Sequence, residues 1–378
     1  VIVVVVGGKL QGLETLYLAR KAGFTTILID KRAEAVARNC CDIFVQHEFG
    51  PQAQAPELPG PLPDCIIPAL EDPVALAAAK AWAEHLNVPF TFDLQAFSCS
   101  SSKLTSNHLF HTLNLPVPEA WPGCSFPVVA KPDSASGSHG VQIFHNDQVQ
   151  RLQELARQGT HVIQKYLSGP SYSIEVIGQP GNYQALQVTD LGMDEDYDCC
   201  QVTAPSNLPA GAAYELAVMA KRIAAKLNLT GIMDLEVILH QEKLYILEID
   251  ARIPSQTPMA VYWSTGINMI ALLVQLFCDG QLEPEAPAQP VQHVVVEHVK
   301  VNSGGLSVLG EHIMTGQGPL ELQKGFHGAD EAITSDLHRA EWVATLIFTA
   351  CSAARVDAKR AACHDQLIRQ YCCGNMLL

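Results

Sequence analysis

Two alternating runs constrain this chain more than any other feature in it. Gly231-Ile232-Met233-Asp234-Leu235-Glu236-Val237-Ile238 and Leu244-Tyr245-Ile246-Leu247-Glu248-Ile249-Asp250-Ala251-Arg252 both carry the period of two that marks a β-strand. The polar turn His240-Gln241-Glu242-Lys243 between them predicts a hairpin. Such a hairpin sets Glu236 about opposite Glu248 and Asp234 about opposite Asp250. On the first strand Asp234 and Glu236 are expected to share a face with Ile232 and Ile238. On the second, Glu248 and Asp250 are expected to share one with Leu244 and Ile246. Like charges opposed across a sheet destabilise it, and the apolar flanks predict a sheltered place. A Mg²⁺ site resolves the conflict, because a hard cation takes carboxylate oxygens and leaves positions for phosphates. Arg252 adds a planar clamp for phosphate or carboxylate oxygens. A solvated surface hairpin is the plain alternative, and the apolar company of the acids weighs against it.

The whole chain sets wider bounds. Its 378 residues suffice for two or three domains. A net charge of −15 argues against general affinity for nucleic acid or an anionic membrane, while leaving room for a small basic pocket. The most apolar stretch, Met259 to Cys278, is interrupted by Trp263, Ser264, Thr265 and Asn268 and reads as a buried helix, so no membrane partner is expected. Val1 to Val6 is too short for the core of a signal peptide. Twelve cysteines without a C-x-x-C spacing predict free thiols and a cytoplasmic protein. Nothing in the sequence speaks to the number of copies.

Residues 1 to about 97 alternate strand and helix. Strands are expected at Val1–Val6, Thr25–Asp30, Ile43–Val45 and Cys65–Pro68, with helices at Leu10–Ala22 and Pro73–His85. That is a small doubly wound unit. One helix is expected over 98–117. Strands Pro127–Pro132, Val141–Phe144 and His161–Tyr166 follow, with a helix at Gln148–Gln158. Strands Tyr172–Ile177 and Tyr183–Val188 and a helix Tyr214–Leu227 precede the acidic hairpin. A loop over Arg252–Pro258 and a helix Asn268–Cys278 come after it. Gly280 to Pro290 reads as a linker. Strands at His293–Val301 and Val343–Cys351 and a helix Val356–Tyr371 close the chain.

Other motifs are read against plainer alternatives. Gly7-Gly8-Lys9-Leu10-Gln11-Gly12 joins a strand to a helix, and Asp30 ends the next strand. A dinucleotide site with Asp30 on a ribose is one reading, but the spacing is G-G-x-x-x-G rather than G-x-G-x-x-G. Lys9 and Gln11 at that mouth suit a carboxylate or phosphate, and Glu71 lies on the same rim of the sheet. Lys131 ends an apolar strand and precedes the small-residue loop Asp133–Gly140. This arrangement suits a phosphate, with backbone N–H groups folded over its oxygens. A flexible loop beside a solvated lysine is the alternative. Gln164-Lys165-Tyr166-Leu167 runs from a strand into a turn, where backbone groups can meet an adenine edge. Pro254-Ser255-Gln256-Thr257-Pro258 is a stiff polar loop, either a turn or a substrate contact.

The order of these parts resembles the ATP-grasp superfamily of carboxylate–amine ligases. Lysine strand, Gly/Ser loop, hinge and paired acidic strands follow a Rossmann-like unit, and Glu248-Ile249-Asp250-Ala251-Arg252 is similar to that superfamily's E-x-N-x-R. Together with Asp196-Tyr197-Asp198-Cys199 and Ile253-Pro254-Ser255-Gln256-Thr257-Pro258, these strings resemble the ligases that join 3-methyl-D-ornithine to L-lysine in pyrrolysine biosynthesis. The resemblance implies an α/β (α+β) protein with an ATP-grasp fold. It implies a pre-ATP-grasp domain over 1–97, a small subdomain over 98–170 and a C-terminal subdomain over 171–378. The implied cofactors are ATP and Mg²⁺. Lys103, Lys131, Ser138, Gln164, Lys165, Tyr166 and Leu167 are implied for the nucleotide, to which the glycine turn adds Lys9 and Asp30 as candidates, and Glu236, Glu248 and Asp250 are implied for the metal. Arg252 and Asp234 are implied in catalysis, Asp234 as an acceptor of the amine proton. Ser173, Glu175, Ser255, Gln256 and Thr257 are implied for 3-methyl-D-ornithine or D-ornithine, and Leu10, Gln11 and Glu71 for L-lysine. Where the superfamily has Glu for the ribose, this chain has Ser171, and where it often has Asp before the first lysine, this chain has Ser102. Other readings are a D-alanine–D-alanine-type or carbamoyl-phosphate-type enzyme, an NAD-dependent dehydrogenase on the N-terminal unit, and a nucleotide-binding module without catalysis.

Overall fold

A computed structural model describes residues 1–51, 53–135, 137–282 and 291–372. The chain begins β1 (Ile2–Val6), α1 (Leu10–Lys21), β2 (Thr25–Asp30), β3 (Ile43–Gln46), β4 (Cys65–Pro68) and α2 (Pro73–Leu86). The four strands form a parallel sheet in the order β3-β2-β1-β4. Val3 to Val6 are all buried, as an unbroken apolar run in a parallel sheet should be. The glycines of the first turn have geometric work. Gly7 has φ +106°, and a Cβ on Gly12 would stand 1.9 Å from the Gly7 carbonyl oxygen. Only glycines let α1 start that close to β1.

The next stretch opens with α3 (Leu94–Ser100) and α4 (Lys103–Thr112). The single helix expected over 98–117 is thus two shorter ones. Ser102 is the reason: its hydroxyl accepts the Thr105 N–H at 3.1 Å and starts a new helix. Then come β5 (Val128–Pro132), β6 (Gln142–Phe144), α5 (Val149–Gln158) and β7 (His161–Lys165). The three strands form an antiparallel sheet ordered β6-β5-β7. They are followed by β8 (Ser171–Gln179), β9 (Asn182–Ala185), β10 (Thr189–Met193) and β11 (Cys199–Ala204). The strand expected over Tyr183–Val188 ends at Ala185, and β10 and β11 are additional. Thr189-Asp190-Leu191-Gly192-Met193 has little strand propensity of its own, and its pairing with β8 supplies what the sequence lacks.

After α6 (Ala210–Leu227) the acidic hairpin forms as β12 (Gly231–His240) and β13 (Lys243–Asp250). One compact unit comprises 93–198 and 206–252; its larger set of strands runs β13-β12-β8-β10, with β9 also on β8. Leu216, Ala220 and Ile223 of α6 pack against Ile174, Val176, Leu235 and Val237. The hairpin register has a consequence for the acids. His240 pairs with Lys243 and Val237 with Ile246, a register that would carry Glu236 to Leu247. A bulge between Glu236 and Val237 makes Leu247 the extra residue, so Glu236 pairs with Glu248 and Asp234 with Asp250. The bulge also corrects the expected face. Leu244 and Ile246 join the core cluster with Val237, while Glu248 and Asp250 turn to the opposite side. One inserted residue reverses the alternation beyond it.

The other unit comprises the described residues of 1–92, 199–205 and 253–372. Its later elements are α7 (Thr257–Thr265), α8 (Met269–Cys278), β14 (His293–Asn302), β15 (Gly305–Val308), α9 (His312–Thr315), β16 (Glu321–Lys324), β17 (Glu331–Thr334), β18 (Trp342–Ala350) and α10 (Ala353–Leu367). Strands run β11-β14-β18-β17-β16, with β15 on β14. The loop expected over Arg252–Pro258 gives way at Thr257 to α7. Met259 to Cys278 is not one helix but α7 and α8 bent by 97°, and most of their apolar residues are buried. Gly266, at φ +82°, ends the first and the Asn268 side chain caps the second. Among the described residues no single helix is long and apolar enough to cross a membrane. The linker expected over Gly280–Pro290 lies, from residue 283 onward, outside the described residues. The cysteines whose side chains are described are all free thiols.

Gly12→Ala drives a methyl group into the Gly7 carbonyl. It should destabilise the protein by about 1–3 kcal/mol or more, read as a lower urea midpoint at unchanged m-value.

Candidate active site

The site grows from the bulged hairpin. Across β12 and β8, Glu236 pairs with Ser173, Asp234 with Glu175 and Ile238 with Ser171. Two polar rows therefore cross three strands on one face: Glu248-Glu236-Ser173 and Asp250-Asp234-Glu175. Ser173 and Glu175 are fully buried and Asp234 nearly so. The Asp234 Oδ1 and the Ser173 hydroxyl have no hydrogen-bond partner.

Cations converge on the first row from two other elements. Lys103, the first residue of α4, places its ammonium 3.0 Å from Glu248 and donates to the Ala135 carbonyl at 2.7 Å. Lys131 comes from β5. Asp133 fixes both: its Oδ1 accepts from the Leu104 N–H and the Ser102 hydroxyl, each at 2.9 Å, and its carbonyl accepts the Lys103 N–H at 3.0 Å. This carboxylate does for the helix start what an acidic residue at position 102 would do. Arg252 lies beside the second row, its guanidinium 2.9 Å from Asp250.

The charges distort one another. Burial, with Glu248 and Asp250 adding repulsion, pushes the Glu236 carboxyl up to about 8. Burial and Asp250 likewise raise Asp234 well above the carboxylate range. Burial alone would raise Glu248, but Lys103 and Lys131 outweigh it and hold that carboxyl low. Burial lowers the Lys131 ammonium against the pull of Glu248. For Lys103 burial acts the same way and is outweighed by Glu248, Asp250 and Glu236.

These groups line one cavity of about 280 Å³. Lys103, Lys131, Glu236 and Glu248 stand at its polar end. Gln164, Lys165, Tyr166 and Leu167 line it further along, with Ser138 from the Gly/Ser loop. Val129, Ile143, Met193, Ile238 and Leu247 give it apolar walls, and Ser171 lies among them. A cavity with apolar walls and a cluster of cations and acids suits a nucleotide with its phosphates among the charged groups. Every residue expected at the nucleotide from 103 to 167 lines this cavity. Asp234, Asp250, Arg252, Ser173 and Glu175 lie on or beside the same strand face but do not line it.

The donor chemistry fits a hard cation. Glu236, Glu248 and Asp250 supply carboxylate oxygens, and the mutual repulsion that raises the Glu236 carboxyl is of the kind a cation relieves. Among the described residues no group of three or more His, Cys, Asp or Glu side chains is arranged so as to hold a metal ion by itself. Mg²⁺ in nucleotide sites commonly takes its remaining oxygens from phosphates and water.

The remaining expected residues belong to the other unit. Asp30 is committed to the glycine turn: its Oδ2 accepts the Gly8 N–H at 2.6 Å and its Oδ1 the Arg32 N–H at 2.8 Å. Gln11, which follows the exposed Lys9 and the half-buried Leu10, donates to Glu71 at 2.9 Å. Gln256, at φ +72°, follows the half-buried Ser255 and donates to Glu311 at 3.0 Å. The buried Thr257 hydroxyl has no hydrogen-bond partner. Two acids there escaped sequence reasoning. Glu14 is 1% exposed and accepts the Met259 N–H at 2.6 Å at the start of α7. A lone acid within Leu13-Glu14-Thr15-Leu16 was its only signal. Glu311 sits in a short turn with no periodicity at all.

Comparison with known proteins agrees with this geometry. Residues 100–256 match the ATP-grasp domain. The chain is 33% identical over 311 residues to the 3-methyl-D-ornithine–L-lysine ligase of Methanosarcina barkeri (strain Fusaro), covering 82% of this chain and 83% of that one. The fold is that of biotin carboxylase from Campylobacter jejuni (TM-score 0.71, 15% identity, 97% of this chain and 91% of that one). It is equally that of an L-amino acid ligase from Bacillus licheniformis (TM-score 0.64, 17% identity, 97% of each chain). The chain belongs to the ATP-grasp superfamily, as an ATP-dependent carboxylate–amine ligase. Within it, the chain is closely similar to the 3-methyl-D-ornithine–L-lysine ligases.

The raised Glu236 carboxyl has a signed consequence. Its proton is held in the folded protein up to about pH 8 and is lost from the unfolded chain near the ordinary carboxylate value. Without divalent metal, stability should therefore fall as pH rises from about 4.5 to about 8. Melting scans in a chelator should show this fall, and Glu236→Gln should flatten it.

Proposed function

We propose that this ligase joins the carboxylate of 3-methyl-D-ornithine to the ε-amine of L-lysine through an acyl phosphate, as a step of pyrrolysine biosynthesis. The observation that carries the chemistry is the single cavity in which Lys103, Lys131, Glu236 and Glu248 meet among apolar walls. The similarity to a ligase named for these two amino acids supports the choice of substrates.

Phosphoryl transfer asks for positioning and charge neutralisation more than for covalent help from the protein. Lys103 and Lys131 hold phosphate oxygens, and backbone groups of 164–167 hold the adenine. Glu236, Glu248 and Asp250 would hold Mg²⁺, which when bound neutralises phosphate charge. Arg252 steadies oxygens of the reacting carboxylate.

The second polar row suits a substrate rich in amines. Glu175 of that row, with Ser173 from the adjoining first row, receives an ammonium of the ornithine-like substrate, and Ser255, Gln256 and Thr257 receive its remaining polar atoms. Leu10, Gln11 and Glu71 serve L-lysine. The attacking amine must shed a proton, and in this reading Asp234 accepts it, a role its raised affinity for a proton supports. The Gly/Ser loop, with Ser138, shields the acyl phosphate from water. In this reading the chain is organised as a pre-ATP-grasp domain (1–97), a small subdomain (98–170) and a C-terminal subdomain (171–378), acting in the cytoplasm.

The direct test supplies ATP, Mg²⁺ and the two amino acids together and singly, and follows ADP and the isopeptide product by mass spectrometry. ADP and product should appear one for one, and only with both amino acids. Product from D-alanine alone, with none from 3-methyl-D-ornithine and L-lysine, would overturn the substrate assignment. Glu248→Gln should lower turnover at least about 100-fold while leaving the melting temperature close to that of the parent.

A further inference from the structure

The segment Asp194 to Asp198 has no part in the reaction described so far, yet it lies against the nucleotide cavity. It is a tight turn closed by its own acid. Asp194 Oδ1 accepts the N–H groups of Asp196 at 2.9 Å and Asp198 at 3.0 Å, and the Asp194 N–H donates to the Asp198 carbonyl at 2.9 Å. The turn forces Tyr197 to φ +62°, a left-handed conformation that is unfavourable for an aromatic residue. Strain of that kind persists where the surroundings over-determine it, and it gathers at ligand clamps.

Tyr197 touches two parts of the nucleotide cavity. Its backbone carbonyl accepts the Ser138 hydroxyl from the Gly/Ser loop at 2.6 Å. Its own hydroxyl lies 3.3 Å from that of Tyr166 in the hinge, with the rings edge to face at 6.3 Å. Ser138, Tyr166 and Tyr197 all line the cavity. The Tyr197 side chain remains 42% exposed, so core packing does not account for its place.

We propose that Tyr197 is a latch, a positioning residue that ties the Gly/Ser loop to the hinge and keeps nucleotide and acyl phosphate enclosed through the reaction. The inference rests on the nucleotide reading of this cavity. The left-handed backbone aims the carbonyl at Ser138 while the side chain reaches Tyr166. The latch touches the loop and hinge rather than the reacting atoms. Its loss therefore shows as faster nucleotide escape and as wasted ATP, more than as a change in the chemical step.

The test uses the full chain and three variants: Tyr197→Phe, which removes only the hydroxyl; Tyr197→Gly, which removes the ring and relaxes the backbone; and Ser138→Ala, which removes the donor from the opposite side. Fluorescent ATP is displaced in a stopped-flow instrument with Mg²⁺ present, and ADP and amide are counted in the same turnover reaction. Dissociation should quicken roughly 2- to 10-fold in each variant, the range a lost hydrogen bond allows. The ratio of ADP to amide should rise above that of the parent in Tyr197→Gly and Ser138→Ala. Melting temperature should hold in Tyr197→Gly, since glycine accepts φ +62° without strain. Parental dissociation rates and parental ADP-to-amide ratios in all three variants would overturn the latch alone. Absence of nucleotide binding by the parent protein would overturn the cavity reading and the latch with it.

Discussion

The site depends on holding carboxylates opposite one another across β12 and β13. A sheet left to itself avoids that pairing. Here the bulge at Leu247 creates it, since the two-residue turn alone would have set Glu236 against Leu247 and turned Glu248 toward the core. The sheet tolerates the repulsion because Lys103 and Lys131 face the first row and Arg252 the second. Acids and bases are so interdependent that burial and neighbouring charge raise Asp234 and Glu236 while the two lysines hold Glu248 low. A group whose charge is expensive in isolation is then ready to accept a phosphate or a cation.

The cations are positioned by elements that have little to do with the acidic strands. Asp133 links the lysine strand to the start of α4, so that Lys103 and Lys131 arrive in the cavity as a pair. The fold shared with a biotin carboxylase and an amino acid ligase, at identities of 15% and 17%, shows how far sequence can diverge within one architecture.

The glycine turn of β1 and α1 shows the same economy at another place. Asp30 holds the Gly8 N–H, and Gly12 lets the helix lie against the Gly7 carbonyl. The residues that resemble a dinucleotide fingerprint therefore already have a structural occupation. Their resemblance came from what any tight strand–turn–helix requires.

The acidic alternation, the lysine strand and the hinge were legible because each is local: a period of two, or a run of apolar residues ending in a charge. From them the amino-acid sequence by itself determined the strand pair, its excess of carboxylates and the residues from 103 to 167 that line the cavity. What it could not show were consequences of pairing. The bulge at Leu247 exists only between two strands, β10 forms because β8 offers it an edge, and α3 parts from α4 where Ser102 turns to cap a new helix. Asp133, Glu14 and Glu311 act on residues 29, 245 and 55 positions away. Tertiary structure alone decided which face the acids occupy and which cations answer them, because side-chain direction and charge balance are properties of neighbours in space.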